Sequence, residues 1–230
     1  MPTVTILPSE LGARPRMFAD RRAAGRTLGQ ALIHHAGMNA IVLGLPRGGV
    51  PVADEVARVL GGTLDVWVVR KLGTAFQPEL GMGAIAEGPA VVLDRSIVRE
   101  LGVSRADLFA VARREMNEVR RRVERFRSGR AAPDLRGRIV ILVDDGIATG
   151  GTMRAAIRAV KMRRPAELVL ATPVASPDIL AVLRREVDEV VCLFQPEQLF
   201  AIALWYEDFR QVPDEEVVRI LARAAQQPTG

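Results

Sequence analysis

Short apolar runs rich in Val and Ile recur along the chain at Ile41–Leu45, Asp65–Val69, Ala90–Leu93, Arg138–Val143, Glu167–Ala171 and Glu189–Phe194. Each is almost unbroken rather than alternating with polar residues, the pattern of a strand covered on both faces. Amphipathic stretches, Val50–Leu60, Thr152–Arg163 and Pro177–Arg185, lie between several of them. Strand and helix in alternation predict an α/β fold, a mostly parallel sheet flanked by helices. Such sheets bind ligands at the carboxyl ends of their strands, near a switch in strand order.

Two segments stand outside the alternation. Phe18–Ala36 predicts a covering helix, with Phe18, Ala24, Leu28, Leu32 and His35 near helical spacing. Ser104–Arg127 predicts a longer helix, opened by a Ser104–Asp107 capping pair, with Leu108, Ala112, Met116, Val119, Val123 and Phe126 as its apolar stripe. Its other faces hold Arg113, Arg114, Arg120, Arg121, Arg122, Arg125 and Arg127 among Glu115, Glu118 and Glu124. A solvated face laced with pairs such as Glu118–Arg122 is the favoured expectation; a dimer contact and a polyanion surface are the alternatives. Met1–Pro15 and Gln226–Gly230 are expected to be mobile tails.

Composition narrows the class. The 230 residues are 49% hydrophobic and 26% charged, as in an ordinary globular protein. That length buries about 70% of the unfolded chain's surface without staples. A single cysteine, Cys192, excludes an intrachain disulfide framework or a cysteine-based zinc site, and its buried-strand context makes it a small core residue. No apolar run approaches the roughly 18 residues of a membrane span, and Met1–Glu10 lacks the pattern of a signal peptide, so no membrane association and a cytoplasmic location are expected. The net charge is +5, and all but two of the 32 basic residues are arginine, the exceptions being Lys71 and Lys161. Such a balance fits a polyanionic partner or a GC-rich coding bias equally well. His34 and His35 have no motif around them and read as structural.

Chemistry concentrates in Ile139–Thr152. An apolar strand, Ile139–Val143, delivers Asp144 and Asp145 to its end; Gly146, Ile147, Ala148, Thr149, Gly150, Gly151 and Thr152 then lead into a helix. Successive backbone N–H groups and a helix N-terminus form an anion cradle. Gly150 and Gly151 permit close approach and left-handed dihedrals, and Thr149 and Thr152 add hydroxyl donors. Two acids beside an anion site are repulsive unless the ligand offers them hydroxyls or a metal. A ribose 5-phosphate does so.

This stretch resembles the phosphoribosyl-pyrophosphate signature of type I phosphoribosyltransferases. The resemblance implies that Asp144 and Asp145 hold ribose hydroxyls and that Ala148, Thr149, Gly150, Gly151 and Thr152 hold the 5-phosphate. Leu45–Pro51, with Arg47, Gly48 and Gly49, is similar to the family's pyrophosphate loop. Val69–Gly73, with Arg70 and Lys71, is similar to the Arg-Lys that opens the mobile catalytic loop of adenine and orotate enzymes. Thr74–Met82 would be the lid. The resemblance covers roughly Ile41–Phe209 and implies one phosphoribosyltransferase domain over 1–230, with a core at about 38–175, a mobile lid at 72–88, a helical insertion at 96–130 and a small hood at 189–212.

The implied reaction is attack of a nitrogen nucleophile on the anomeric carbon of phosphoribosyl pyrophosphate, with release of pyrophosphate. Arg47, Lys71 and Mg2+ held mainly by substrate oxygens would stabilise the leaving charge. Ala148 replaces the acid that hypoxanthine and guanine enzymes carry within the signature, which places the loop closer to the adenine and orotate type. Gln195–Phe209 looks like the hood over the base, with Phe200, Trp205 and Tyr206 as stacking candidates; ordinary packing is the competing reading of each. Glu79 and Glu87, flanking the lid, are the general-base candidates. A homodimer is expected and nucleic acid is not an expected partner, although a phosphoribosyl-pyrophosphate-sensing regulator that binds nucleic acid through its Arg-rich helix is the alternative function.

Overall fold

The structure, a computed structural model, describes residues 3–5, 18–73, 81–88 and 90–226. In chain order the strands are β1 (Thr3–Thr5), β2 (Ile41–Gly44), β3 (Thr63–Val66), β4 (Val69–Gly73), β5 (Gly81–Ala86), β6 (Ala90–Leu93), β7 (Ile139–Val143), β8 (Glu167–Val174) and β9 (Glu189–Phe194). The helices are α1 (Arg21–Ala31), α2 (Gly49–Leu60), α3 (Arg95–Glu100), α4 (Arg105–Arg127), α5 (Gly151–Lys161), α6 (Pro177–Leu183) and α7 (Asp214–Ala224).

Six strands form one parallel sheet in the order β1-β9-β8-β7-β2-β3. The central strands are buried along nearly their whole length, which is why they read as unbroken apolar runs. Apolar cores lie on both faces. On one, Val42, Ile141, Val143, Val169 and Val191 meet Leu28, Val52 and Val56; on the other, Ile41, Leu43, Leu142 and Leu170 meet Met153, Ile157 and Val160. The strand order turns at β7 and β2, and the loops after these two strands carry the predicted chemistry. Cys192 is buried, with its thiol pushed up to about 12 by burial, so it is unreactive packing. Among the described residues no helix is long and apolar enough to cross a membrane.

Three expectations need correction. The run Asp65–Val69 is two strands: β3 ends at Val66, buried Trp67 and Val68 carry the chain out of the main sheet, and β4 belongs to a second sheet. Ala90–Leu93 is likewise not a strand of the parallel sheet but the edge of that antiparallel β4-β5-β6 sheet. Thr3–Thr5, expected in a mobile tail, pairs in register with Glu189–Val191.

The long helix α4 is capped by Ser104, whose Oγ accepts from the Asp107 N–H at 3.1 Å. Val119 and Phe126 of its stripe are buried. Its arginines are largely committed within the chain. Arg121 and Arg122 donate to Glu118, whose carboxyl these bonds hold down at about 2. Arg125 reaches Asp214 and Glu215 at the start of α7. Arg127 is not on a solvated face at all. It is buried, donating to Asp65 at 2.9 Å, to Glu87 at 2.7 Å and to the Val66 carbonyl at 2.8 Å. That hub fastens the small sheet and α4 to the edge of the main sheet.

Candidate active site

β7 ends at Val143, so Asp144 and Asp145 emerge at the carboxyl edge of the sheet beside the end of β2. The Asp145 N–H donates to Asp144 Oδ1 at 3.0 Å, which orients the two acids relative to one another. The loop Arg47–Gly49 after β2 packs directly on them. A Cβ on Gly49 would stand 2.6 Å from the Val143 carbonyl oxygen and 2.9 Å from Asp144 Cα, and one on Gly48 would overlap Asp145 Oδ2. Glycine is needed at both positions for close approach. The two segments matched to the acid pair and to the pyrophosphate loop are therefore in contact. Arg47 lies at the same edge, partly exposed, with Asp214 at 3.7 Å.

Past the acids, Ile147 donates to the Val174 carbonyl at 2.9 Å, which pins the loop to the end of β8. Gly150 is left-handed (φ 71°) and caps α5 without a side chain. Among the described residues the backbone N–H groups of Ala148, Thr149, Gly150 and Gly151 have no hydrogen-bond partner. Ala148, Thr149 and Gly151 are exposed. Unpaired donors in succession at a helix N-terminus suit a phosphate. Lys71, on β4, faces this loop across a cleft of about 290 Å3 that Thr149, Gly151, Arg154 and Arg158 also line.

Burial and repulsion from Asp145 push the Asp144 carboxyl well above the usual carboxylate range. Burial also raises Asp145, against the opposing pull of Arg21. The pair therefore holds protons more readily than free aspartates, and any cation or hydroxyl donor brought beside it favours the charged form.

The other candidates are distributed differently. Arg70 neighbours Lys71, so the strand turns it to the opposite face; its Nε meets Glu115 of α4 at 2.9 Å, and it does not join the cleft that Lys71 lines. Glu87, a general-base candidate, is buried against Arg127, and this excludes it from reaching an acceptor. Glu79 lies outside the described residues, as do residues 74–80 of the predicted lid; within 72–88 the chain on either side of that stretch is strand rather than lid, β4 up to Gly73 and β5 over Gly81–Ala86. Tyr206 is corrected from stacking to scaffolding: it is buried, and its hydroxyl donates to the Asp145 carbonyl at 2.6 Å. Trp205 is half-buried, its ring 5.3 Å from that of Phe194. Phe200 is 82% exposed, free to meet a ligand.

The motif reading missed Arg21. It lies on α1, far from the signature in sequence, yet it bonds Asp145 Oδ2 at 2.7 Å. It also lines a second, polar cleft of about 360 Å3 with Asp20, Arg22, Pro51, Asp208 and Arg210. Nothing in the sequence around Arg21 names Asp145 as its partner, 124 residues away.

Comparison with known proteins agrees with this geometry. The family model for the phosphoribosyl transferase domain matches residues 18–204. Two Mycobacterium tuberculosis proteins, from strains CDC 1551 / Oshkosh and H37Rv, carry the phosphoribosyl transferase name and are 49% identical over 209 residues, 91% of this chain. The chain spans about half the length of these curated relatives, 47% of each. The crystal structure of TT1426 from Thermus thermophilus superposes with a TM-score of 0.80 at 44% identity, covering 90% of this chain and 98% of that one.

Proposed function

Since the chain belongs to the phosphoribosyl transferase family, we propose that it transfers the 5-phosphoribosyl group of phosphoribosyl pyrophosphate to a nitrogen nucleophile, a nitrogenous base or related acceptor. The contact of the Gly48-Gly49 turn with the Asp144–Asp145 pair carries this reading. It brings the loop that would hold the leaving group against the acids that would hold the diol, in the same loop as a run of N–H groups with no partner among the described residues, which would hold the phosphate.

In this reading the 5-phosphate lies on Ala148–Thr152. One oxygen on each acid, Asp144 Oδ2 and Asp145 Oδ1, accepts no hydrogen bond among the described residues, leaving two acceptors for the two ribose hydroxyls. The bond from the anomeric carbon to pyrophosphate breaks, a carbon–nitrogen bond forms, and the nucleophile gives up its proton. Arg47 and Lys71 offer positive charge where the pyrophosphate becomes more negative. The carboxylates are hard oxygen donors and fit magnesium, but as two groups they favour an ion carried largely by substrate oxygens and water. Such an ion would neutralise the leaving group's charge. Phe200 is the side chain best exposed to stack on a planar acceptor.

The test is ligand-dependent stability. Magnesium phosphoribosyl pyrophosphate should raise Tm by mass action, and Asp144→Asn/Asp145→Asn should abolish the shift. No shift in the unaltered protein overturns the proposal. A panel of bases scored by pyrophosphate release identifies the acceptor.

A further inference from the structure

Arg21 is the N-terminal residue of α1, and its side chain is only 11% exposed. Its three engagements are separate. Nε donates to Asp145 Oδ2 at 2.7 Å, one terminal nitrogen donates to the Arg210 carbonyl at 2.9 Å, and the guanidinium lies 3.8 Å over the Phe209 ring. The planar fork is thus fixed from the hood side before it reaches the acid. We propose that Arg21 is the positioning residue for the ribose-binding pair: it holds Asp145 Oδ2 in place and leaves Oδ1 turned to the ligand, so that the docking of α1 on the hood sets the competence of the ribose site. The inference rests on the phosphoribosyl-pyrophosphate reading of that site.

The physical need is plain. Two adjacent, largely buried carboxylates repel one another and lose solvation, so without a cation the pair takes up a proton and the diol loses an acceptor. Among the described residues, the other groups in contact with Asp145 are neutral or negative. Asp144 adjoins it in the chain, the Tyr206 hydroxyl donates to its carbonyl, and the Gly48 backbone covers Oδ2. Farther out, Asp208 and Arg210 bond each other on the solvent side of Arg21. Arginine suits the task where lysine does not, because one planar group must serve a carboxylate, a carbonyl and a ring face together.

Two readouts test this. In the free protein, carboxyl carbon NMR should place the titration of the acid pair higher in Arg21→Met than in the unaltered protein, by about one pH unit. In calorimetry with magnesium phosphoribosyl pyrophosphate, Arg21→Met should weaken binding about tenfold at neutral pH and move the acid limb of the affinity profile upward. Arg21→Lys should restore the position of the acid limb, since the charge remains, while leaving affinity reduced, since the fork is lost. A role in folding alone would lower Tm and leave both pH profiles where they were, which overturns the inference. Tighter binding in Arg21→Met also overturns it, by showing that the guanidinium occupies the ribose site. If Arg21→Met does not fold, Arg21→Gln, which keeps a polar group and loses the charge, takes its place: the acid limb should again move upward, and an unmoved limb overturns the inference. If the NMR midpoint moves as expected but the unaltered protein does not bind the ligand, the failure belongs to the substrate reading and not to the role of Arg21.

Discussion

Gly48 and Asp145 are packed so closely that Gly48 has no room for a Cβ: the added atom would overlap Asp145 Oδ2. Gly48 has ordinary right-handed dihedrals (φ −63°, ψ −33°), so alanine meets no backbone strain there and the conflict is purely with the carboxylate. A carboxylate can rotate aside. Gly48→Ala should therefore push Asp145 off its 2.7 Å bond to Arg21, lose some Tm but less than a clash with backbone costs, and bind magnesium phosphoribosyl pyrophosphate roughly tenfold more weakly, about 1.4 kcal/mol. Gly49→Ala should lose more Tm. Its Cβ would press on the Val143 carbonyl oxygen at 2.6 Å, which belongs to the rigid sheet, and overpacking of that kind costs about 1–3 kcal/mol. Thermal unfolding and calorimetry on the two variants separate the effects. Equal stability losses would contradict the argument.

Arg127 should be among the most costly residues to remove. Arg127→Met leaves Asp65 and Glu87 buried without their cation, a loss of about 3–5 kcal/mol. The sign with pH follows. Burial already raises both carboxyls in the folded state, and losing Arg127 raises them further. A folded-state pKa above the unfolded one means that stability is retained below the unfolded value and falls as pH rises through the folded value. Denaturant unfolding should therefore show the variant's deficit growing from mildly acidic to alkaline pH. A deficit that shrinks over that range would show that the carboxylates are not the source.

The parallel core and the acid-then-glycine loop after β7 were legible in the sequence because both are local. An unbroken apolar run such as Ile139–Val143 states its own burial, and Asp144–Thr152 states its chemistry within one loop. The second sheet was not legible. Trp67 and Val68 are as buried and apolar as the strand before them, so no polar residue marks where the chain leaves the parallel sheet. The antiparallel partners then lie across residues with no clear period. Helix α7 went unrecognised although Val217, Ile220 and Leu221 form its buried face, because that face is three residues set among Asp214, Glu215, Glu216, Arg219 and Arg223. Arg21, Arg127 and Glu87 were misjudged or missed for one reason. Each acquires its environment from a partner many residues away, and one charged residue in a surface-like run looks like any other.

His35 and Glu189 form a second pH-dependent contact at the opposite end of the main sheet. His35 Nε2 lies 2.8 Å from Glu189 Oε2, and His34 Nε2 lies 3.1 Å from Oε1. The Glu189 hydrogen bond raises His35, against burial. Burial raises Glu189, but the bonds to His35 and His34 outweigh it and hold the carboxyl below its usual value. Stability from the raised His35 is complete below its unfolded pKa and is lost as pH rises through the folded value; stability from the lowered Glu189 is present above its unfolded pKa and lost as pH falls through the folded value. The contact should therefore be strongest in mildly acidic solution. Plotted against pH, the Tm difference between the unaltered protein and Glu189→Gln should peak there and narrow towards alkaline pH. A flat difference would remove the ion pair from the account.

Tyr206 and Phe200 should separate scaffold from stacking. The Tyr206 hydroxyl supports the Asp145 carbonyl from a buried position, while its ring packs 4.9 Å from that of Phe209. Tyr206→Phe keeps that ring and removes only the hydroxyl, leaving a part-buried carbonyl without its donor, at a cost of about 1–3 kcal/mol. It should lower Tm and weaken magnesium phosphoribosyl pyrophosphate binding through displacement of Asp145, without changing which acceptors are used. Phe200 is exposed and contributes no buried packing. Phe200→Ala should change stability by no more than about 0.5 kcal/mol and raise KM for a planar acceptor while leaving phosphoribosyl pyrophosphate affinity unchanged. If instead Tyr206→Phe altered acceptor choice at unchanged stability, Tyr206 would be returned to the stacking role and Phe200 would lose it.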